Sequence, residues 1–170
     1  SETIAAIATQ IGSGGIGVVR MSGPLAFEVA AKVFRPNPLA FDSHTAHHGA
    51  VVTPPSFPLY QASNETFPPY EGGIQGGDEQ IDDAVLTVFR TPRSYTGEDV
   101  VEISCHGGIA TIRAVLRAVL NAGARLAAPG EFTQRAFLNG KIDLAQAEAV
   151  NDLIRARTDQ ARRVAFRQLG

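Results

Sequence analysis

The chain has 170 residues, 44% hydrophobic and 19% charged, with a net charge of −2, one cysteine and no tryptophan. That length suits one compact domain, or one domain and the start of another, and the apolar share excludes a disordered chain. One cysteine excludes an internal disulfide framework, and no apolar run nears the ~20 residues of a membrane span, so a cytoplasmic protein is expected. Charge is unevenly distributed. Between Pro54 and Asp83 stand six acidic residues (Glu65, Glu71, Asp78, Glu79, Asp82, Asp83) and no lysine or arginine. From Arg155 onward there are five arginines against Asp159 alone. Such a run is a solvated helix face or, less simply, a phosphate-facing surface.

Thr3–Thr9 and Ile16–Met21 read as strands joined by a glycine-rich turn. Ser22-Gly23-Pro24 then starts a helix with an apolar stripe at Leu25, Val29 and Val33, ending before Pro36. Pro54–Gly77 has nine prolines and glycines and no periodicity, which predicts a flexible insert. Ala84–Phe89 and Val100–Cys105 are the next strands. After His106-Gly107-Gly108, the residues Ile109, Ile112, Val115, Leu116, Val119 and Leu120 form one helix face, stopped by Gly123. Ala124–Ala127 is expected to return as a strand. Pro129-Gly130 marks a change of composition, and Asp143, with Gln146 three residues on, opens a helix through a capping box. That helix is expected to run to the end of the sequence, as in a fragment of a longer protein.

Gly12-Ser13-Gly14-Gly15-Ile16-Gly17 spells G-x-G-x-x-G, but a dinucleotide site needs a helix to begin there and aim its amides at a pyrophosphate. Here the glycines lead into a strand. A turn closely approached by another backbone, or by a flat ligand, is the better reading. Cys105 and His106 point to opposite strand faces, so they form no thiol–imidazole pair, and Cys105 reads as a small core residue. Glu102 shares its face with Val100, Ser104 and His106. A carboxylate within an apolar strand is costly without a donor. Arg20 and Lys141 are the candidates, and an internal Arg20–Glu102 ion pair and a ligand site both remain open. His44, His47 and His48 lack the spacing of a metal site, and no phosphate-binding G-x-x-x-x-G-K-[ST] loop occurs.

Three segments carry a resemblance: Gly14-Gly15-Ile16-Gly17-Val18-Val19-Arg20-Met21-Ser22-Gly23, Ser94-Tyr95-Thr96-Gly97-Glu98-Asp99-Val100-Val101-Glu102 with His106-Gly107-Gly108, and the run from Gly123 through Pro129-Gly130-Glu131-Phe132 and Asn139-Gly140-Lys141 to Val150. Together they resemble the N-terminal part of the TrmE/MnmE family of bacterial tRNA-modification GTPases, everywhere except in the acidic, proline-rich insert. The resemblance implies an α/β (α+β) folate-binding domain with a mixed sheet and flanking helices at residues 1–128, carrying the flexible insert at 54–83. Residues 129–170 would be the first segment of a helical domain. It further implies a homodimer and 5-formyltetrahydrofolate as cofactor and one-carbon donor. The family acts with an FAD-dependent MnmG-type partner on the wobble uridine of tRNA, leaving a 5-carboxymethylaminomethyl-type group. GTP, magnesium and potassium belong to a Ras-like domain whose motifs this chain lacks, so the chain alone is expected to have no catalytic residue, no metal and no GTP hydrolysis. Carried onto this sequence, the folate contacts fall on Arg20, Glu102 and Lys141, supported by Gly14, Gly15, Gly17 and Asn139. A carboxylate can accept the paired N–H groups of a reduced pterin, and the two cations can meet carbonyl or carboxylate oxygens. The competing readings are a dimerising scaffold without ligand and a stand-alone folate-dependent aminomethyltransferase.

Overall fold

Side-chain alternation builds the centre of the sheet. In β1 (Ile4–Ile7) and β2 (Ile16–Ser22), Ala5, Val19 and Met21 are fully buried, while Ala6, Val18 and Arg20 on the other face are only half-buried. β6 (Val100–His106) follows the same rule, with Val101, Ile103 and Cys105 in the core and Glu102 and Ser104 on the opposite face. The computed structural model describes residues 2–12, 14–54, 79–156 and 159–169. Among these, β3 (Phe34–Arg35), β4 (Thr45–Val52), β5 (Gln80–Phe89) and β7 (Arg125–Leu126) complete a seven-stranded sheet of order β3-β4-β5-β6-β2-β1-β7. Every pairing is antiparallel except β1 with β7, so the sheet is mixed, as the α/β reading expects.

Two helices cover one face. α1 (Ala26–Val33) buries Phe27, Val29, Ala30 and Val33, and α2 (Ile109–Asn121) buries Ile112, Val115, Leu116 and Val119, all in one cluster with the inward side chains of β2, β5 and β6. α2 stops shortly before Gly123, whose φ of 119° suits glycine alone, and the chain then passes into β7. Two expected core positions lie outside: Leu25 is the residue before α1 and is 53% exposed, and Ile109 opens α2 and is 47% exposed. The first residues of a helix precede its packed turns, so the apolar stripe begins later than periodicity suggests.

The structure adds β4, for which the sequence carries no expectation, and corrects two further expectations. β4 is a strand where the sequence shows histidines and no obvious alternation. It is organised by contacts elsewhere: His47 stacks on Phe41 at 3.6 Å, and its Nε2 lies 2.7 Å from the Thr45 hydroxyl. The stretch 80–83, read as the end of the insert, is the beginning of β5. Asp82 is tolerated there because it accepts from both the backbone N–H and the Nδ1 of His106, each at 2.8 Å. The rest of the expected insert, residues 55–78, lies outside the described residues. Finally, the C-terminal helix is divided. Asp143 forms the expected capping box with Gln146, but α4 (Leu144–Arg155) stops there because Ala156 is extended (φ −62°, ψ 120°). α5 (Asp159–Leu169) returns so that Gln146 Nε2 donates to the Leu169 carbonyl at 2.9 Å, and the small residues Ala149 of α4 and Ala165 of α5 are buried. No described helix is long and apolar enough to cross a membrane.

Candidate functional site

The β2–β6 register places Arg20 directly opposite Glu102, on the sheet face that α1 and α2 leave uncovered. Arg20 Nε donates to Glu102 Oε1 at 2.7 Å, and both side chains are half-buried. The demand for a donor beside Glu102 is therefore met by Arg20 and not by Lys141. The contact is single. Among the described residues no protein group bonds Arg20 Nη1 or Nη2, or Glu102 Oε2. A charged pair engaged through one atom each retains two donors' nitrogens and one acceptor oxygen for something else, whether water or ligand.

The loop between β5 and β6 brings the other predicted residues to the same region. Its consecutive residues Tyr95, Thr96 and Gly97 each meet one of them. The Tyr95 ring lies 6.0 Å from Arg20 Cζ, Asn139 Nδ2 donates to the Thr96 carbonyl at 2.7 Å, and the aliphatic stem of Lys141 packs on Gly97. Lys141 Nζ donates to the Pro92 carbonyl at 3.1 Å. Arg20, Glu102, Asn139 and Lys141 thus lie along one loop. Gly14, Gly15 and Gly17 do not: they pack at the opposite end of β2, where Gly107 N–H donates to the Gly15 carbonyl at 3.2 Å and Ile112 crowds Gly17. A shallow hollow of about 350 Å³ opens on the Asn139 side, lined by Pro24, Thr91, Gly97, Glu98, Asp99 and Asn139. Neither Arg20 nor Glu102 lines it.

The residues that hold the loop were not singled out from sequence. α3 (Glu131–Leu138) crosses the region and ties itself down by ion pairs: Arg135 Nη1 to Glu98 Oε2 at 3.1 Å and Arg125 Nη2 to Glu131 Oε1 at 2.7 Å. Ser22 Oγ lies 2.7 Å from both Thr96 Oγ1 and Glu98 Oε2, linking β2 to the same loop. Phe132, in the first turn of α3, brings its ring to 5.8 Å from Arg20 Cζ. Apart from Arg125 with Glu131, these residues meet across separations that no short pattern reports, although all of them stand inside the segments that carry the resemblance.

The hydrogen bonds from Arg125, aided by the Ala128 N–H and Arg135, hold the Glu131 carboxyl at about 2, well below its ordinary 4.5. A depressed carboxylate stabilises the fold fully above 4.5 and loses that contribution as pH falls from 4.5 toward 2. Glu131→Gln should therefore flatten the acid limb of a pH–stability profile and cost about 1–3 kcal/mol at pH 7, vanishing near pH 2. Urea midpoints measured at pH 7, 4 and 2.5 check this, and parallel wild-type and variant profiles would remove Glu131 from the acid transition. Burial, reinforced by Asp82, pushes the Cys105 thiol up to about 11, and its Sγ lies 3.5 Å from the Gly17 carbonyl. A protonated, enclosed thiol is no nucleophile at neutral pH, which agrees with its reading as core. Among the described residues no group of three or more His, Cys, Asp or Glu can hold a metal ion.

By fold and site, this is a mixed α/β domain with a charged, aromatic-flanked patch on the sheet face opposite α1 and α2. The chain belongs to the family described as GTP-binding protein TrmE N-terminus, whose model matches residues 3–141. It is similar to the tRNA modification GTPase MnmE of Symbiobacterium thermophilum, at 54% identity over 99% of this chain and 33% of that protein. The MnmE proteins of Carboxydothermus hydrogenoformans and Bacillus subtilis are 48% and 46% identical, with the same shares covered. The chain therefore spans about a third of the length of these relatives.

Proposed function

We propose that this chain binds 5-formyltetrahydrofolate through Arg20, Glu102 and Lys141, as the folate-binding and dimerising N-terminal region of a cytoplasmic GTPase that modifies the wobble uridine of tRNA. The observation that carries the ligand reading is the one-atom contact between Arg20 and Glu102. The pair is oriented by the β2–β6 ladder, yet Arg20 Nη1 and Nη2 and Glu102 Oε2 have no partner among the described residues. A reduced pterin offers matching groups, paired N–H donors for the carboxylate and a carbonyl oxygen for the guanidinium. Lys141 suits the acidic tail of the ligand, because its flexible stem can leave the Pro92 carbonyl for a carboxylate. In this reading the one-carbon unit serves an FAD-dependent MnmG-type partner acting on tRNA. GTP, magnesium and potassium are assigned to the part of the relatives that this chain does not cover.

A second reading has its own support: the ion pair already formed between Arg20 and Glu102 is what a ligand-free dimerisation scaffold would need. Titration calorimetry with 5-formyltetrahydrofolate separates the two. Saturable binding that weakens in an Arg20→Ala variant is the expected result, and no heat from correctly folded wild type would leave the scaffold. The dimer is tested apart from the ligand. Light scattering at low micromolar concentration should give twice the chain mass of 18.0 kDa without nucleotide or folate. A single-chain mass would sink constitutive dimerisation.

A further inference from the structure

We propose that Tyr95 and Phe132 form the two walls of a slot that takes a flat heteroaromatic ring beside the Arg20–Glu102 pair, and so determine which ring the site accepts. This inference rests on the folate reading and deepens it. Tyr95 comes from the β5–β6 loop and Phe132 from the first turn of α3, so two separate elements deliver one ring each to the same guanidinium, at 6.0 and 5.8 Å from Arg20 Cζ. Those distances are at the outer limit of a cation–π contact, so neither ring is closed down on the cation. The walls are nonetheless fixed relative to each other, because the Tyr95 hydroxyl lies 3.0 Å from the hydroxyl of Thr133, the neighbour of Phe132. Tyr95 remains 39% exposed and Phe132 half-buried, so ring surface is left accessible.

Among the described residues, the polar atoms at the slot have no protein partner: two guanidinium nitrogens and one carboxylate oxygen. A planar ring that carries its donors and acceptor on one edge uses both features at once, with its faces on the aromatic walls and its edge on the charged pair. In a reduced pterin the pyrimidinone half stays planar and carries these groups, so it gains both. A fully saturated ligand of equal polarity gains the edge contacts but not the stacking. Selection for a flat ring follows from that difference.

Three variants of the full chain test the slot by titration with 5-formyltetrahydrofolate, each first checked for wild-type circular dichroism and melting. Tyr95→Leu and Phe132→Leu should each weaken binding about tenfold, the scale of one ring stack. Because the chain has no tryptophan, Phe132→Trp supplies a single reporter, which should keep affinity within about threefold and lose emission as ligand saturates it. p-Aminobenzoylglutamate, which has the tail without the pterin, is the control: its affinity should be unchanged in both leucine variants. An equal loss for that probe would mean that the aromatics only hold the cation in place and would overturn the slot. Leucine variants that bind 5-formyltetrahydrofolate as tightly as wild type, or unmoved emission at saturation, would also overturn it while leaving the folate reading intact. Wild type that binds no folate would instead sink that reading and the slot with it.

Discussion

Glu102→Gln is expected to leave the fold intact and remove most of the affinity for 5-formyltetrahydrofolate. The substitution conserves volume in a strand hydrogen-bonded on both sides, to β2 and β5, and the amide oxygen can still accept from Arg20 Nε. A partly exposed ion pair contributes only about 0.2–1 kcal/mol, so the melting temperature should move little. The ligand meets a different change. Where Glu102 presents Oε2 and the second lone pair of Oε1, the one Arg20 already uses, to paired N–H donors, glutamine presents one acceptor and one donor, which sets N–H against N–H. A mismatch of that kind costs about 1–3 kcal/mol, or roughly a fivefold to 150-fold rise in Kd. Calorimetry on the variant beside wild type measures it. An unchanged Kd would take Glu102 out of the site, whereas a large fall in melting temperature would mean the ion pair is structural, as the scaffold reading holds.

The Arg20–Glu102 pairing shows how far sequence reasoning reaches. A carboxylate on the polar side of an apolar strand demands a cation, and Arg20 stands at the matching place on another strand. Which strands are neighbours, however, is a property of the whole sheet. The same limit explains β4: its inward His47 is a suitable core-edge residue only once Phe41 stacks on it, a contact that no local alternation announces. The division of the C-terminal helix is a related case. No glycine or proline marks the break near Ala156, and each helix alone keeps a continuous helical pattern. Pairing buries Ala149 and Ala165 and closes Gln146 on the Leu169 carbonyl, and that tertiary gain outweighs helix propensity. Capping boxes and glycine stops, by contrast, are local hydrogen-bond chemistry, and those at Asp143 and Gly123 stand where they were expected. At the site, the charged residues were legible because an ion in an apolar pattern is anomalous. Tyr95 and Phe132 were not, since an aromatic near a strand or at a helix start looks like core until its neighbours are known.

Gly107→Ala should be the most destabilising single methyl that the region between the glycine-rich turn and α2 can receive. Gly107 is buried where the chain leaves β6, and a Cβ there would stand 2.1 Å from the Gly14 carbonyl oxygen, 2.7 Å from its carbon and 2.9 Å from Ile16 N. Each of these is backbone, so no side chain can rotate away. The two segments are also bonded, Gly107 N–H to the Gly15 carbonyl at 3.2 Å, so relieving the clash means breaking that bond and shifting the entry to β2. Overpacking against an unyielding surface costs about 1–3 kcal/mol. For a chain of this length, a loss of roughly 2–3 kcal/mol is a fall of about 5–10 °C in Tm. Gly108→Ala is the internal control: its Cβ would meet nothing closer than Thr111 Oγ1 at 3.7 Å, an ordinary contact, and should shift Tm by under about 2 °C. The close approach that the glycine-rich sequence suggested is therefore one backbone against another, and the pair of variants tests that directly. Equal melting temperatures for the two would mean that the turn yields freely at Gly14, leaving its glycines without a packing reason.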